Sequence, residues 1–102
     1  MRIALAVDLM IGTVPAVAHA SARWVFDCVR EGETSVLVEP PETAKIVIQH
    51  GQPVSLPHDA PKGVVNGYAR VGGHTWYVQF DEYANTLWLD RAICDFKGTV
   101  PY

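Results

Sequence analysis

The sequence predicts an α+β fold, with one amphipathic helix over about 14–31 packed on a curved antiparallel sheet of five to six short strands. Three observations carry that expectation. A helical apolar stripe follows Thr13 and Pro15. Two β-branched runs, TSVLVE and AKIVIQ, flank Pro40-Pro41. Between Val64 and Asp90, apolar and polar residues alternate around two clear turn signals.

Taken in order, Ile3, Leu5, Val7, Leu9 and Ile11 stand at every second position, the pattern of a strand with one bulky face. Thr13 offers a helix cap, and Pro15 sits in the first turn, where its missing N–H costs nothing. Val17, Ser21, Trp24, Val25, Cys28 and Val29 then share one helical face. His19, Arg23, Asp27, Arg30 and Glu31 share the other, and Gly32 suits the residue after a helix end. Strands are expected at Ser35–Glu39 and Ala44–Gln49, kept apart by the two prolines. Gly51 to Lys62 has three prolines and reads as a loop, with an extended piece at Val54–Leu56. The tail from Lys97 to Tyr102 reads as irregular.

The stretch from Asn66 to Phe96 is the most informative. Gly72-Gly73 fits a two-residue hairpin, because paired glycines accept the positive φ of a type I′ or II′ turn. Glu82 to Asn85 fits a four-residue turn, with Asn85 tolerating the left-handed region. Strands are therefore expected at Val64–Val71, His74–Asp81 and Thr86–Asp90, and the two turns set their register. Val71 then faces His74, Ala69 faces Trp76, Val65 and Leu87 face Phe80, and Leu89 faces Val78. One face carries Val65, Ala69, Val71, Trp76, Val78, Phe80, Leu87 and Leu89, which is a core face. The other pairs Tyr68 with Tyr77, Tyr77 with Asp90, Gln79 with Trp88 and Arg70 with Thr75.

The run Tyr68-Ala69-Arg70-Val71, then Val78-Gln79-Phe80-Asp81-Glu82-Tyr83-Ala84-Asn85-Thr86, then Leu89 and Ile93, resembles the core strands of Tudor-type SH3-like barrels. That family often shows a phenylalanine, an acidic-Tyr-Gly-Asn turn and a later apolar strand. Here Ala84 stands in the glycine position and the first hairpin is shorter. The resemblance covers under a third of the chain. It implies a small barrel that binds peptides or nucleic acid, with an aromatic cage as one means of doing so.

Length and composition bound the rest. A chain of 102 residues is expected to form a single domain, 1–102, with a modest core. The apolar share of 49% and charged share of 19% are ordinary for globular proteins. A net charge of -3, with no run of Lys or Arg, supplies no electrostatic footprint for nucleic acid. Cys28 and Cys94 could bridge in an oxidising compartment or stay reduced. Burial as small hydrophobes is the reading favoured at this level.

Arg2, an apolar run and Ala18-His19-Ala20 before Ser21 imitate a secretory leader, whereas Asp8 interrupts the run. The cytoplasmic reading is preferred, with a secreted form cleaved after Ala20 as the runner-up. The apolar stretch is shorter than the roughly 20 residues a membrane helix needs, so no membrane partner is expected.

No constellation signals catalysis. His19, His50, His58 and His74 lack metal-ligand spacing, Cys-x₂-Cys is absent, and no serine or cysteine sits in a nucleophile motif. Gly12-Thr13 is accounted for by helix capping, without the glycines of a nucleotide site. No catalytic residue, metal or cofactor is therefore assigned. The aromatic face of Tyr68, Tyr77 and Trp88, edged by Arg70, Gln79 and Asp90 and extended by Tyr83, is the candidate binding surface. It is expected to be either exposed or a second core layer.

The first functional expectation is a small non-catalytic binding module: an adaptor or inhibitor holding a protein or peptide, or a self-associating domain forming a homodimer. A small enzyme or ligand-binding protein with a pocket near His50, His58 and His74 is the second. Single-stranded nucleic acid stacked on the same aromatics is the third, and the charge disfavours it.

Overall fold

The structure, a computed structural model, describes residues 21–39 and 43–101. Nine strands lie in these residues: β1 (Ala22–Cys28), β2 (Gly32–Glu39), β3 (Thr43–Ile48), β4 (Val54–Asp59), β5 (Val64–Val71), β6 (His74–Asp81), β7 (Thr86–Leu89), β8 (Ala92–Ile93) and β9 (Asp95–Pro101). They form one antiparallel sheet in the order β9-β1-β2-β3-β4-β5-β6-β7-β8, rolled into a small, nearly closed barrel.

The two sheet ends meet through the chain itself. Ala92 and Ile93 pair with β7, the Cys94 amide donates to the Leu87 carbonyl at 2.8 Å, and from Asp95 the chain crosses to pair with β1. Closing a sheet in this way removes most of its unpaired edge.

The fold is all-β, which corrects the α+β expectation: the described residues contain no helix. The expected helix ends in β1, and its first part, along with the expected strand at 3–11 and the Pro40-Pro41 connection, lies outside the described residues. In the short run from Ala22 to Cys28 two periods fit equally well. Ala22, Trp24, Phe26 and Cys28 also alternate with Arg23, Val25 and Asp27. The aromatic and β-branched content suits a pleated surface, and pairing with β2 on one side and β9 on the other decides the matter. Gly32 does adopt positive φ (+73°), as a helix-ending glycine would, but it serves the β1–β2 hairpin instead.

Three further expectations are corrected. In the stretch from Gly51 to Lys62, the extended piece expected at Val54–Leu56 is the first half of a six-residue strand, β4, and the tail beyond Lys97, expected to be irregular, belongs to β9. Both carry proline or glycine and lack a run of apolar side chains, so long-range pairing sets their full extent. Cys28 and Cys94, expected to stay reduced, form a disulfide with Cα atoms 4.4 Å apart.

The three central strands follow the register expected from their turns. Val65 faces Phe80, Ala69 faces Trp76, Phe80 faces Leu87 and Val78 faces Leu89. The expected core face is buried except for half-buried Val71. Opposite it, Phe26, Val36, Ala44, Ile46 and Ile48 complete the interior. Phe80 is central: the rings of Trp24 and Phe26 meet it edge-on at 5.5 and 6.0 Å. Edge-to-face contacts of this kind add to burial because the positive ring edge meets the negative ring face.

Candidate binding surface

The outer face of β5, β6 and β7 is built by the alternation that fills the core. Every second side chain points inward, so Tyr68 and Arg70, Thr75, Tyr77 and Gln79, and Trp88 point out. Tyr68 is 71% exposed, Tyr77 37% and Trp88 39%. The face is therefore open and is not a second core layer. Tyr68 and Tyr77 sit on directly paired positions, with ring centroids 5.1 Å apart and planes tilted by 35°. Rings this close form a continuous platform and leave no slot between them for a cation. Trp88 pairs with Gln79 on one side and with Ile93, itself 49% exposed, on the other. A shallow groove of about 260 Å³ runs beside Trp88, floored by Asn66, Gln79 and Thr86.

The polar residues expected at the edge of this face divide by role. Arg70 reaches its cross-strand neighbour Thr75, Nη1 to Oγ1, at 3.4 Å. Asp90 takes a left-handed backbone (φ 57°) and accepts the Tyr77 amide proton on Oδ1 at 2.8 Å, which terminates the β6–β7 pairing. Tyr83 stands apart. Its ring lies over Gly63, its hydroxyl donates to the Ala60 carbonyl at 3.4 Å, and it follows the end of β6, about 13 Å along the strand from Tyr77. It staples two turns and does not extend the Tyr68–Tyr77 platform.

The histidines do not converge. His50 is exposed in the β3–β4 turn, and His74 is exposed against Trp76 at the same end of the barrel, with ring centroids 4.3 Å apart. His58 is half-buried at the opposite end, its side chain 5% exposed and Nε2 2.7 Å from Glu82 Oε1. His19 lies outside the described residues. No group of three His, Cys, Asp or Glu among the described residues is placed to hold a metal.

The chain matches no protein-family model, no curated protein and no solved structure. No helix among the described residues is long and apolar enough to cross a membrane.

One feature was not anticipated from the sequence. The turns β1–β2, β3–β4, β5–β6 and β7–β8 all emerge at the disulfide end of the barrel. A cleft of about 590 Å³ opens there, lined by Arg30, Glu31, Tyr77, Leu89, Asp90, Arg91 and Ala92. A smaller one of about 290 Å³, bounded by Gln49, His74 and Trp76, shares Arg30, Glu31 and Asp90 with it. The helical reading sets Arg30 and Glu31 on the face opposite the apolar stripe. Their spacing from the cysteines was the available signal, since Arg30 follows Cys28 by two positions and Arg91 precedes Cys94 by three.

Proposed function

We propose that this chain is a non-catalytic binding module whose partner protein docks on the outer face of β5–β7. The exposed row of Tyr68, Tyr77 and Trp88 carries that reading. Large aromatic side chains cost little rotamer entropy to immobilise and contribute strongly when a partner desolvates them. Ile93 and the groove beside Trp88 enlarge the patch beyond what scattered surface residues present.

Nucleic acid suits the face less well. Arg70 is the one basic side chain among its expected edge residues, and the whole chain is acidic. The resemblance to Tudor-type barrels contributes the barrel architecture. The touching Tyr68 and Tyr77 rings favour a flat protein contact over a cage for a methylated side chain.

We also infer that the domain works in an oxidising compartment. The Cys28–Cys94 bridge belongs to such a setting, and Ala18-His19-Ala20 before Ser21 is a leader-cleavage pattern. The intact mass of protein recovered from outside the producing cell tests this: it should correspond to a chain starting at Ser21 and carrying no free thiol.

The docking face is tested by placing a photo-crosslinking amino acid at Tyr68 or Trp88 in the producing cell, with Thr43 and Lys45 on β3 as controls. A discrete protein adduct from the first pair alone supports the reading. An adduct of twice the chain mass would make the partner a second copy. Equal adducts from both pairs, or none from Tyr68 and Trp88, would overturn it. Trp88→Ala should abolish the Tyr68 adduct; Trp88 is 39% exposed, so its truncation should also cost about 2 kcal/mol of stability, and an unchanged fold is checked by circular dichroism.

A further inference from the structure

We infer that the cleft at the disulfide end binds a carboxylate carried on an apolar body, gripped by Arg30 and Arg91. The charges in the cleft are not equivalent. Both acids are already engaged: Glu31 Oε2 accepts the Trp76 indole N–H at 2.9 Å, and Asp90 Oδ1 accepts the Tyr77 amide at 2.8 Å. The other Asp90 oxygen lies 3.7 Å from His74 Nε2. Arg30 and Arg91 are both exposed, and neither has an ion pair or side-chain hydrogen bond among the described residues. In an acidic chain, two guanidinium groups thus line one cleft without a partner among the described residues, while each nearby carboxylate already accepts a hydrogen bond on one oxygen.

A guanidinium presents parallel N–H donors that match the two oxygens of a carboxylate. Phosphate shares that geometry, but it brings a second negative charge to a cleft that also holds Glu31 and Asp90. A monoanion suits this balance better. Leu89, Ala92 and the ring of Tyr77 add apolar lining, so the anion is expected to arrive on a hydrophobic residue, such as the last residue of a peptide chain. The disulfide holds the two arginine-bearing turns together, since Cys28 and Cys94 are joined within three residues of each. Tyr77 belongs both to this cleft and to the aromatic row, so a partner on that row can place a chain terminus here. The inference rests on the proposed docking face only for the source of the carboxylate.

The test uses the oxidised protein as recovered from the producing cell and needs no partner. Acetyl-Leu-Phe with a free carboxylate, its C-terminal amide, and inorganic phosphate are each titrated at constant ionic strength and followed by amide chemical shifts. The free carboxylate should move the amides of Arg30, Glu31, Asp90, Arg91 and Ala92 and bind at least about tenfold more tightly than the amide form. Arg30→Gln and Arg91→Gln should each weaken that binding by about tenfold, with the remaining spectrum unchanged as evidence of folding. Phosphate should bind more weakly than the peptide. Equal binding of acid and amide, no shift at millimolar peptide, or tighter binding of phosphate would each overturn the carboxylate assignment. None of these results bears on crosslinking at Tyr68, so the two proposals fail separately.

Discussion

The two halves of this barrel are held together by different kinds of contact. The meander β5–β7 is assembled from neighbours in the chain: two short turns bring Val65, Ala69, Trp76, Val78, Phe80, Leu87 and Leu89 onto one face. The closure around β1 and β9 depends on residues far apart in sequence. Cys28 is bonded to Cys94, the Trp24 indole donates to Asn85 Oδ1 at 3.0 Å, and the Trp76 indole donates to Glu31. Distant closures must offset the entropy of joining the chain ends, whereas tight hairpins incur little of it. The meander is accordingly the self-contained part, and the closure is the part that redox state can loosen.

Reducing the disulfide is the strongest way to sharpen this contrast. The bridge spans 66 residues, and the chain-entropy model assigns a loop of that size about 4 kcal/mol. Urea denaturation with and without reductant should show the unfolding free energy of the reduced protein lower by that order. Hydrogen exchange on the reduced protein should show β1 and β9 losing protection first, while β5–β7 keep theirs. Simultaneous loss in both halves would show that the meander does not stand alone, and the comparison would fail.

Gly63→Ala probes the meander's own closure. Gly63 has φ +66°, and an added Cβ would stand 2.5 Å from the Tyr83 ring. The glycine serves both the left-handed backbone and the close approach of the ring that staples the β4–β5 turn to the β6–β7 turn. The variant should lose about 2–3 kcal/mol, combining a left-handed alanine with overpacking. Tyr83→Ala added to it should recover part of that loss, because the clash is removed and only the backbone strain remains. A pair of variants with purely additive losses would show that the ring moves aside freely.

What could be read from the sequence follows the same division. Gly72-Gly73 and the Glu82–Asn85 turn specify β5–β7 locally, so the register and the grouping of Tyr68, Tyr77 and Trp88 on one face were accessible, whereas the exposure of that face depends on what the rest of the chain covers. Asn85 indeed has φ 55°. The run Ala22–Cys28 carried a helical stripe and a strand alternation at once, and only its two neighbouring strands resolve that ambiguity. β4 and β9 bear proline or glycine and have few buried side chains, so the sequence marks only Val54–Leu56 as extended and pairing supplies the rest. The arginine cleft is assembled from turns far apart in the chain. Its single local sign was the closeness of Arg30 and Arg91 to the two cysteines.

The smallest expected effect compares two hairpin turns at the cleft end. The β5–β6 turn puts Gly72 and Gly73 in the left-handed region (φ 60° and 87°), which costs glycine nothing. The β3–β4 turn puts Gln49 and His50 there (φ 55° and 58°) and closes with the Gly51 amide donating to the Ile48 carbonyl at 2.8 Å. Neither Gln49 nor His50 is a residue that favours a type I′ turn. His50→Gly should therefore stabilise the fold by about 1 kcal/mol, less any entropy gained by the unfolded chain, and raise Tm by about 5 °C in a scan. Gln49 borders the smaller cleft, so the variant also asks whether the strain has a use. A gain in Tm with unchanged peptide binding makes the strain incidental. A gain accompanied by weaker binding would show that the strained turn helps to shape the cleft for its ligand.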